Sequence, residues 1–497
     1  MICATVGRGR HSSLLAEWKE AAEAGVELVE LRIDCLRREP DLKRIMAEKY
    51  TPIVFTVRRG VDGGMWRGQE DKRQRLLREA IVAGVDYVDL EVDIADKIRR
   101  FGKTKRIVSY HNVNKTPEDI KDYADQCDEK DADVVKIATL AQTLSDASRV
   151  AHLAVGSPVP MIAIAMGDVG TFTRVLGAKY GAPFTYAGFN PDRMFAPGML
   201  QYRDLKRDYQ YDLIDKDTEV YAVIGDPIEQ SLSPTVHNAA FRSLGLNKVL
   251  IPILVPDGGL GRALKDLEWI GIKAMSVTIP HKEKIIEFLT AKDGAVERTG
   301  SCNTVVFQPG KAIGYNTDYR AAMDVLEDAL GGRTGDDESS PLLDKQVLIL
   351  GAGGVARSLA FGLSRRGAGV TVTNRNDERA SHLAEEVGCR AINWGQRAST
   401  LSDVLINATP VGMHPNVDDT PMPPAGFRAG QIVFDSVYHP ENTMFLKLAS
   451  ERGCTTVSGV QMFIHQAAHQ FKLYTGRDAP LDVMREALKR RLTPIKE

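Results

Sequence analysis

Lys136 is the residue whose sequence surroundings most strongly indicate chemistry. It lies in the run Val134-Val135-Lys136-Ile137-Ala138, which has the apolar character of a buried β-strand. A buried ammonium group is costly, so it is usually expelled to water, paired with an acid, or deprotonated through a lowered pKa. A deprotonated amine can attack a carbonyl and form a Schiff base. The same spacing also fits a strand-end lysine that extends to solvent.

The strand that carries Lys136 is one of eight short apolar runs in the first two hundred residues, separated by charge-rich helical stretches. Their near-continuous apolar character suits parallel strands that are buried on both faces. Such a succession predicts a compact (β/α)₈ TIM barrel. The predicted strands are Ile2–Val6, Leu28–Ile33, Ile53–Val57, Tyr87–Val92, Arg106–Tyr110, Val134–Ala138, Met161–Ala165 and Phe184–Ala187.

Reactive side chains of such a barrel lie at the C-terminal ends of its strands. Those ends carry a candidate amine, a candidate proton shuttle and cations suited to a carboxylate. Each residue alone also fits an ordinary surface ion pair or a strand-end histidine, but their convergence on one face of a barrel favours an active site. The set is Glu30, Arg32, Arg58, His111, Lys136 and Arg174.

A glycine-rich turn in the second half of the chain indicates a dinucleotide. Gly351-Ala352-Gly353-Gly354-Val355-Ala356 follows the apolar run Gln346–Leu350 and precedes a helical stretch, which is the context that the GxGxxA fingerprint requires. The next strand, Val370–Thr373, is followed by Asn374 and Arg375. An NAD enzyme would carry an acidic residue there for the ribose 2′-hydroxyl. We therefore predict NADP(H), the alternative being a surface arginine unrelated to the cofactor.

Polar residues ahead of that turn could serve a ketone–alcohol redox step. Lys282, Asn303 and Asp318 would supply a proton relay and hydroxyl recognition beside a nicotinamide. Ser231 and Ser233 offer two hydroxyls on a strand-to-helix loop, although Ser233 also fits a simple helix N-cap before a proline.

The length of the chain and its two connector-like segments predict three domains. A chain of 497 residues exceeds a single hydrophobic core. The polar segment 204–218 and the stretch 331–341 read as connectors. We predict a barrel at 1–212, an α/β lobe at 218–335 completed by C-terminal helices at 460–497, and a Rossmann domain at 342–459.

Composition restricts the partners and the location. The 64 Lys+Arg residues against 66 Asp+Glu residues show no footprint for nucleic acid. No apolar run is long enough to span a bilayer, and the opening MICATV reads as a strand rather than a leader. The 6 cysteines are scattered, as expected of free thiols in a reducing compartment. We predict a cytoplasmic protein with small-molecule substrates; the oligomeric state is not readable.

The first two hundred residues resemble type I 3-dehydroquinate dehydratase. Five motifs carry the resemblance in family order: Glu30-Leu31-Arg32-Ile33-Asp34, Thr56-Val57-Arg58, Ser109-Tyr110-His111-Asn112, Val135-Lys136-Ile137-Ala138 and Ala196-Pro197-Gly198. The resemblance implies that Lys136 forms an imine with the substrate ketone and that His111 is the general acid/base. Glu30, Arg32, Arg58 and Arg174 match substrate-pocket positions, with Arg174 as the carboxylate clamp. No metal is required, because the imine supplies the electron sink.

The chain departs from that family at the pocket. Asp62 stands where the family usually carries a glutamate, and Phe195 and Met199 replace the polar residues that flank the Ala-Pro-Gly turn. Either the neighbouring loop with Trp66, Arg67 and Gln69 supplies the missing contacts, or substrate affinity is weakened.

From about Tyr221 onward the chain resembles shikimate dehydrogenase. The resemblance implies that Lys282 and Asp318 are the catalytic pair. It assigns substrate binding to Ser231, Ser233, Thr278, Asn303, Tyr438 and Gln466, and cofactor binding to Asn374, Arg375, Asn407, Thr409 and the glycine-rich turn.

Together the two resemblances imply a bifunctional enzyme, both lyase and oxidoreductase. It would dehydrate 3-dehydroquinate to 3-dehydroshikimate and then reduce that product to shikimate with NADPH. Two alternatives remain at this point: a catabolic quinate/shikimate dehydrogenase fused to a dehydratase, and a non-catalytic ligand-sensing regulator derived from such enzymes.

Overall fold

The computed structural model describes residues 1–332 and 340–492. The chain forms two compact units, residues 1–272 and 273–497. The central part of the predicted 331–341 connector, residues 333–339, and the last residues of the predicted C-terminal helices, 493–497, lie outside the described residues.

The first unit begins with the predicted barrel. All eight predicted strands are present, with bounds that differ by at most two residues from those read from the sequence. They are β1 (Ile2–Val6), β2 (Leu28–Arg32), β3 (Ile53–Thr56), β4 (Tyr87–Glu91), β5 (Lys105–Asn112), β6 (Val134–Leu140), β7 (Met161–Met166) and β8 (Thr185–Gly188).

These strands form one parallel sheet in the order β7-β6-β5-β4-β3-β2-β1-β8. Helices between the strands cover its outer face because their apolar stripes are buried; in α1, for example, Trp18 is 0% exposed. The helices of the first unit are α1 (His11–Glu23), α2 (Leu42–Glu48), α3 (Glu70–Val82), α4 (Ile120–Asp128), α5 (Leu144–His152), α6 (Thr171–Leu176), α7 (Tyr202–Asp204), α8 (Ser233–Ser243) and α9 (Leu260–Asp266).

The segment 204–218, predicted to be a linker, is partly structured. It continues α7 with helical turns at Leu205–Tyr209 and Tyr211–Leu213, and Leu205 and Tyr211 are fully buried. Its charges obscured those two apolar anchors in the sequence. Beyond it, β9 (Glu219–Gly225) and β10 (Lys248–Leu254) pair in parallel around α8.

The second unit begins with a small mixed sheet. Its strands β11 and β13 pair antiparallel, β13 and β14 form an antiparallel hairpin, and β12 joins β14 in parallel. The ranges are β11 (Ala274–Val277), β12 (Ala291–Lys292), β13 (Thr304–Gln308) and β14 (Lys311–Tyr315).

A six-stranded parallel sheet of Rossmann type follows, in the order β17-β16-β15-β18-β19-β20. Apolar side chains of β15 such as Leu348 and Ile349 are buried on both faces, as a doubly wound sheet requires. The strands are β15 (Gln346–Leu350), β16 (Gly369–Thr373), β17 (Arg390–Ala391), β18 (Val404–Asn407), β19 (Ile432–Asp435) and β20 (Thr455–Val457).

The tail is helical, as predicted, and packs against α11. No helix of the described residues is both long and apolar enough to cross a bilayer. The helices of the second unit are α10 (Gly294–Thr299), α11 (Thr317–Ala329), α12 (Gly354–Arg365), α13 (Asp377–Val387), α14 (Met444–Glu451), α15 (Gly459–Thr475) and α16 (Leu481–Leu492).

Candidate active sites

Lys136 lies inside the barrel rather than at a strand end. It is the third residue of β6, and its side chain is only 7% exposed. Its Nζ donates to Asp89 Oδ2 at 3.1 Å, lies 3.9 Å from Glu30 Oε1, and sits 3.8 Å from the centre of the Tyr186 ring. Of the three outcomes open to a buried lysine, the structure shows pairing with an acid. The alternative of a lysine that extends to solvent is therefore wrong.

Asp89 connects Lys136 to a second cation. Arg58 Nη2 donates to Asp89 Oδ2 at 2.6 Å, and Arg58 Nη1 donates to Glu91 Oε1 at 2.9 Å. Ser109 Oγ donates to Asp89 Oδ1 at 2.6 Å. The positive charges of Arg58 and Lys136 outweigh the effect of burial and hold the pKa of Asp89 far below its usual range. The carboxylate is thus ionised and fixed beside the amine.

Glu30, whose Oε1 lies 3.9 Å from the Lys136 amine, is held by two hydroxyls. Thr5 Oγ1 donates to Glu30 Oε2 and Thr56 Oγ1 donates to Glu30 Oε1, each at 2.9 Å. Threonines from the two strands that flank β2 therefore fix this carboxylate.

His111 is half-buried on β5 and faces the same group of charges. Its Nδ1 is buried and makes no hydrogen bond to the described residues. Burial lowers the pKa of His111 well below its usual value, and the positive charges of Arg58 and Lys136 lower it further. A neutral imidazole at pH 7 can accept a proton, as a general base must.

Arg174 is a buried cation on α6 without an acidic partner among the described residues. Within the described part of the chain, its Nη1 donates only to Tyr186 O at 3.4 Å and its buried Nε makes no hydrogen bond. Burial lowers the pKa of Arg174 to about 10. A guanidinium in this state can form two hydrogen bonds to a ligand carboxylate.

Arg32 and Asp62 are both engaged with neighbours. Arg32 forms a bidentate ion pair with Asp34, and Asp62 pairs with Arg59 at 2.6 Å. All the predicted dehydratase residues line one cavity of about 270 Å³, together with Phe195 and Met199. Trp66, Arg67 and Gln69 are not among the residues that line this cavity.

Asp89, Glu91 and Ser109 form the part of the network to which sequence reasoning gave no role. A signal was present, because Asp89 and Glu91 alternate with Val88 and Leu90 along β4. In a barrel that alternation places both carboxylates on the interior face.

In the second unit, Lys282 Nζ donates to Asp318 Oδ2 at 2.6 Å. Both side chains are partly exposed, at 26% and 17%. Lys282 follows the strand β11 and Asp318 lies in the first turn of α11. The predicted catalytic pair is therefore assembled and accessible to a ligand.

Asn303 is anchored beside that pair. Its Oδ1 accepts from the backbone N–H of Thr317 at 2.8 Å, and its Nδ2 donates to Thr317 Oγ1 at 2.9 Å. Gln470 of the tail donates to Asn303 O at 3.3 Å and to Thr304 Oγ1 at 3.0 Å. The tail helix α15 thus packs directly against the residues next to Asp318.

The other predicted substrate residues occupy varied surroundings. Thr278 is half-buried, Gln466 is buried on α15, and Tyr438 is 36% exposed with its ring 5.3 Å from that of Phe463. In the first unit, Ser233 begins α8, whose N-cap is Leu232 without a side-chain cap. Ser233 is therefore not the simple N-cap that the sequence left open.

The glycine-rich turn has the shape that a dinucleotide requires. Gly351 has φ 118°, and a Cβ there would lie 2.8 Å from Ala408 O, so only glycine fits. The space around Gly353 and Gly354, at the start of α12, is open. Backbone N–H groups at this helix N-terminus are therefore available to a pyrophosphate.

Asn407 and Thr409 close the loop on the far side of that turn. Asn407 Nδ2 donates to Asp435 Oδ1 at 2.9 Å, and its Oδ1 accepts from the Thr409 N–H at 3.0 Å. At the end of β16, Asn374 is half-buried and Arg375 is exposed. The two residues that directly follow β16 thus include a cation and no acid, which fits a 2′-phosphate.

Comparisons with known proteins agree with this geometry. Family models match four stretches: type I 3-dehydroquinase at residues 2–216, shikimate dehydrogenase substrate binding domain at 223–305, NADP oxidoreductase coenzyme F420-dependent at 346–435, and shikimate 5′-dehydrogenase C-terminal domain at 459–489.

One relative matches nearly the whole chain. The bifunctional 3-dehydroquinate dehydratase/shikimate dehydrogenase, chloroplastic, of Arabidopsis thaliana is 37% identical over 97% of this chain and 83% of its own length. The shikimate dehydrogenase (NADP(+)) of Methanothermobacter thermautotrophicus is 41% identical over 56% of this chain and 98% of its own length. A crystal structure of shikimate dehydrogenase in complex with NADP+ superposes with a TM-score of 0.53, at 35% identity, over 56% of this chain and 98% of that chain.

Proposed function

The chain belongs to the family of bifunctional 3-dehydroquinate dehydratases/shikimate dehydrogenases, and from that premise we propose which of its residues carry out each reaction. It is an enzyme of the shikimate pathway with two activities, a dehydratase and an NADP-dependent dehydrogenase. Its substrates are small molecules.

Lys136 is the nucleophile of the dehydratase. Lys136 first gives up a proton to the neutral imidazole of His111, and its Nζ, now an uncharged amine, attacks the ketone carbon of 3-dehydroquinate. The carbonyl oxygen leaves as water when the imine forms. The imine withdraws electrons from the neighbouring carbon, so that a proton can be removed from it and a hydroxyl can depart as water. Hydrolysis of the imine then releases 3-dehydroshikimate and restores Lys136. The observation that carries this proposal is a buried amine, fixed by Asp89, in one cavity with a neutral histidine.

His111 is the general acid/base of these steps. Because its imidazole is neutral at pH 7, it can accept the proton next to the imine carbon and deliver a proton to the departing hydroxyl. Arg174 binds the substrate carboxylate, since among the described residues that line the cavity it is the guanidinium without an acidic partner. Glu30, Arg32, Arg58 and Asp62 form the polar part of the pocket.

Lys282 and Asp318 carry the proton of the dehydrogenase reaction. Lys282 donates to the ketone oxygen of 3-dehydroshikimate as it becomes a hydroxyl, and Asp318 holds the ammonium in place. Asn303, Thr278, Tyr438, Gln466, Ser231 and Ser233 are proposed as substrate-binding residues. NADPH, when bound, supplies the hydride.

The cofactor lies on the glycine-rich turn in this proposal. The N–H groups at the start of α12, from Gly353 to Ala356, hold its pyrophosphate, and Gly351 and Ala352 let it approach. Asn374 and Arg375 bind the 2′-phosphate. Asn407 and Thr409 shape the loop beside the nicotinamide half.

The three domains are proposed with the bounds 1–212, 218–335 completed by 460–497, and 342–459. The four family matches, which fall within or close to these bounds, support this division. A cytoplasmic location is also proposed, supported by the six free cysteines. Cell fractionation tests that location.

A coupled assay tests the division of labour. With 3-dehydroquinate and NADPH, the wild type consumes NADPH, whereas Lys136→Ala and Lys282→Ala do not. Added 3-dehydroshikimate restores NADPH consumption in Lys136→Ala only. Borohydride with 3-dehydroquinate adds the mass of the reduced adduct to the wild type and not to Lys136→Ala. An unmodified wild type, or a Lys136→Ala variant that dehydrates normally, contradicts the imine mechanism.

A further inference from the structure

A segment at the mouth of the dehydratase cavity, residues 193–199, is tied down at both ends. Arg193 Nη1 donates to Gly7 O at 3.1 Å, and Pro197 O accepts from the Gly167 N–H at 3.1 Å. Phe195 lies between these two anchors and lines the cavity. The position of Phe195 is therefore restrained by the side chain of Arg193 on one side and by the backbone of Pro197 on the other.

The Phe195 ring fills a space that exists because residue 7 has no side chain. A Cβ on Gly7 would lie 2.7 Å from Cζ of Phe195 and 2.9 Å from Cys35 Sγ. Neither distance is compatible with an ordinary carbon contact. Gly7 and Phe195 thus form a matched pair at the end of β1.

The same ring contacts Arg32. The guanidinium carbon of Arg32 lies 5.2 Å from the centre of the Phe195 ring, within the range of a cation–π contact. On its edge, Arg32 donates through Nε and Nη2 to Asp34 at 3.0 and 2.8 Å. Asp34 is itself fixed, because its Oδ2 also accepts from the Met65 N–H at 2.9 Å.

Arg32 is therefore restrained on two sides. Asp34 fixes the guanidinium edge and Phe195 contacts it with an aromatic ring, while Nη1 makes no hydrogen bond to the described residues. Phe195 itself offers no hydrogen-bonding group. A polar group of a ligand on this side of the cavity can therefore form a hydrogen bond with Nη1 of Arg32, but not with the side chain of Phe195.

We propose that Phe195 is a positioning residue of the dehydratase, which orients Arg32 so that its free Nη1 binds a hydroxyl of the substrate. This inference rests on the proposed function of the barrel. Phe195 cannot form a hydrogen bond with the substrate through its side chain. It contributes instead by keeping Arg32 in the orientation in which Nη1 can bind the hydroxyl.

Phe195→Leu tests the inference, because leucine keeps an apolar side chain and removes the ring. We expect KM for 3-dehydroquinate to rise roughly two- to thirtyfold, the range of a cation–π contact, while kcat stays within about twofold. Gly7→Ala, which displaces the ring without removing it, should raise KM in the same way. Phe101→Leu is the matched control, since Phe101 is 60% exposed and outside the cavity lining; its KM should not change.

A double-mutant cycle separates positioning from a general loss of packing. In an Arg32→Gln background, Phe195→Leu should change KM by less than about twofold, because the residue through which it acts is gone. Equal effects in both backgrounds, or an unchanged KM in Phe195→Leu, would overturn the inference. The wild-type turnover of 3-dehydroquinate is measured first, so that failure of the dehydratase assignment is recognised separately. Urea unfolding of each variant, compared with that of the wild type, shows whether its barrel is folded.

Discussion

Lys136 of β6 and Asp89 of β4 form a buried ion pair inside the barrel, with Nζ 3.1 Å from Oδ2. The same Oδ2 accepts from Arg58 at 2.6 Å, so that one carboxylate oxygen serves two cations. The amine that is proposed to attack the substrate is therefore positioned by charge as well as by packing. We therefore expect the Asp89 carboxylate to contribute both to the stability of the barrel and to the dehydratase reaction.

Asp89→Asn should destabilise the barrel and reduce dehydration. It leaves Arg58 and Lys136 buried with one negative charge fewer, and breaking a buried pair in this way costs about 3–5 kcal/mol. We expect a lower free energy of unfolding in urea titrations and a dehydratase kcat/KM reduced by about tenfold or more. Asp93→Asn is the control, since Asp93 is 56% exposed and its ion pair with Arg59 contributes little. Equal stability of the two variants would contradict the network.

The sequence did not indicate that the carboxylates of Asp89 and Glu91 are buried. Lys136 was recognisable because a charge within an apolar run is unusual. Asp89 and Glu91 alternate with apolar residues, a pattern that also fits a strand with one solvent-exposed face. Only the pairing of β4 and β6 with the two edges of β5 brings the Asp89 carboxylate to the Lys136 amine.

The predicted ends of two strands fall two residues short. The sequence predicts that β5 ends at Tyr110 and that β6 ends at Ala138, whereas these strands continue to Asn112 and Leu140. The interior of this barrel is polar near the cavity, so His111 extends a strand rather than ending it. The role of Phe195 was equally invisible, since it depends on an absent side chain at Gly7, far away in the sequence.

His111 should couple stability to pH. Burial and two nearby cations keep its pKa in the folded protein well below the value of about 6.5 that it has in an unfolded chain. Its contribution to stability is therefore present above pH 6.5 or so and is lost as the pH falls, because the unfolded chain binds the proton first. Wild-type unfolding free energy should fall more steeply between about pH 7 and pH 5 than that of His111→Gln. If the unfolding free energies of the wild type and of His111→Gln, measured in urea titrations, fall equally with pH, the pKa of His111 is not lowered in the folded protein.

Arg174 is expected to strengthen binding of 3-dehydroquinate and to lower the stability of the barrel. Arg174→Met removes a buried cation without an acidic partner and replaces it with a side chain of similar length. We expect KM for 3-dehydroquinate to rise about a hundredfold, as when one partner of a buried charge pair is lost, while Tm stays equal or increases. Arg149→Met, at a half-buried arginine of α5 outside the cavity lining, serves as the control for KM. A decrease in Tm with unchanged KM would assign Arg174 a purely structural role.

Arg375 should determine the choice between the two nicotinamide cofactors. It is exposed two residues after the end of β16, the position at which the 2′-phosphate of NADP is bound in a Rossmann domain. Arg375→Ala should raise KM for NADPH by roughly tenfold and leave KM for NADH within about twofold, because only NADPH carries the phosphate. The measurement is the rate of 3-dehydroshikimate reduction with each cofactor, repeated with quinate and shikimate in the reverse direction. Arg390→Ala, at an exposed arginine of β17, controls for the loss of positive charge on the same domain. If Arg375→Ala weakens both cofactors equally, Arg375 does not distinguish them, and Asn374 with the backbone at the start of α13 would have to hold the phosphate.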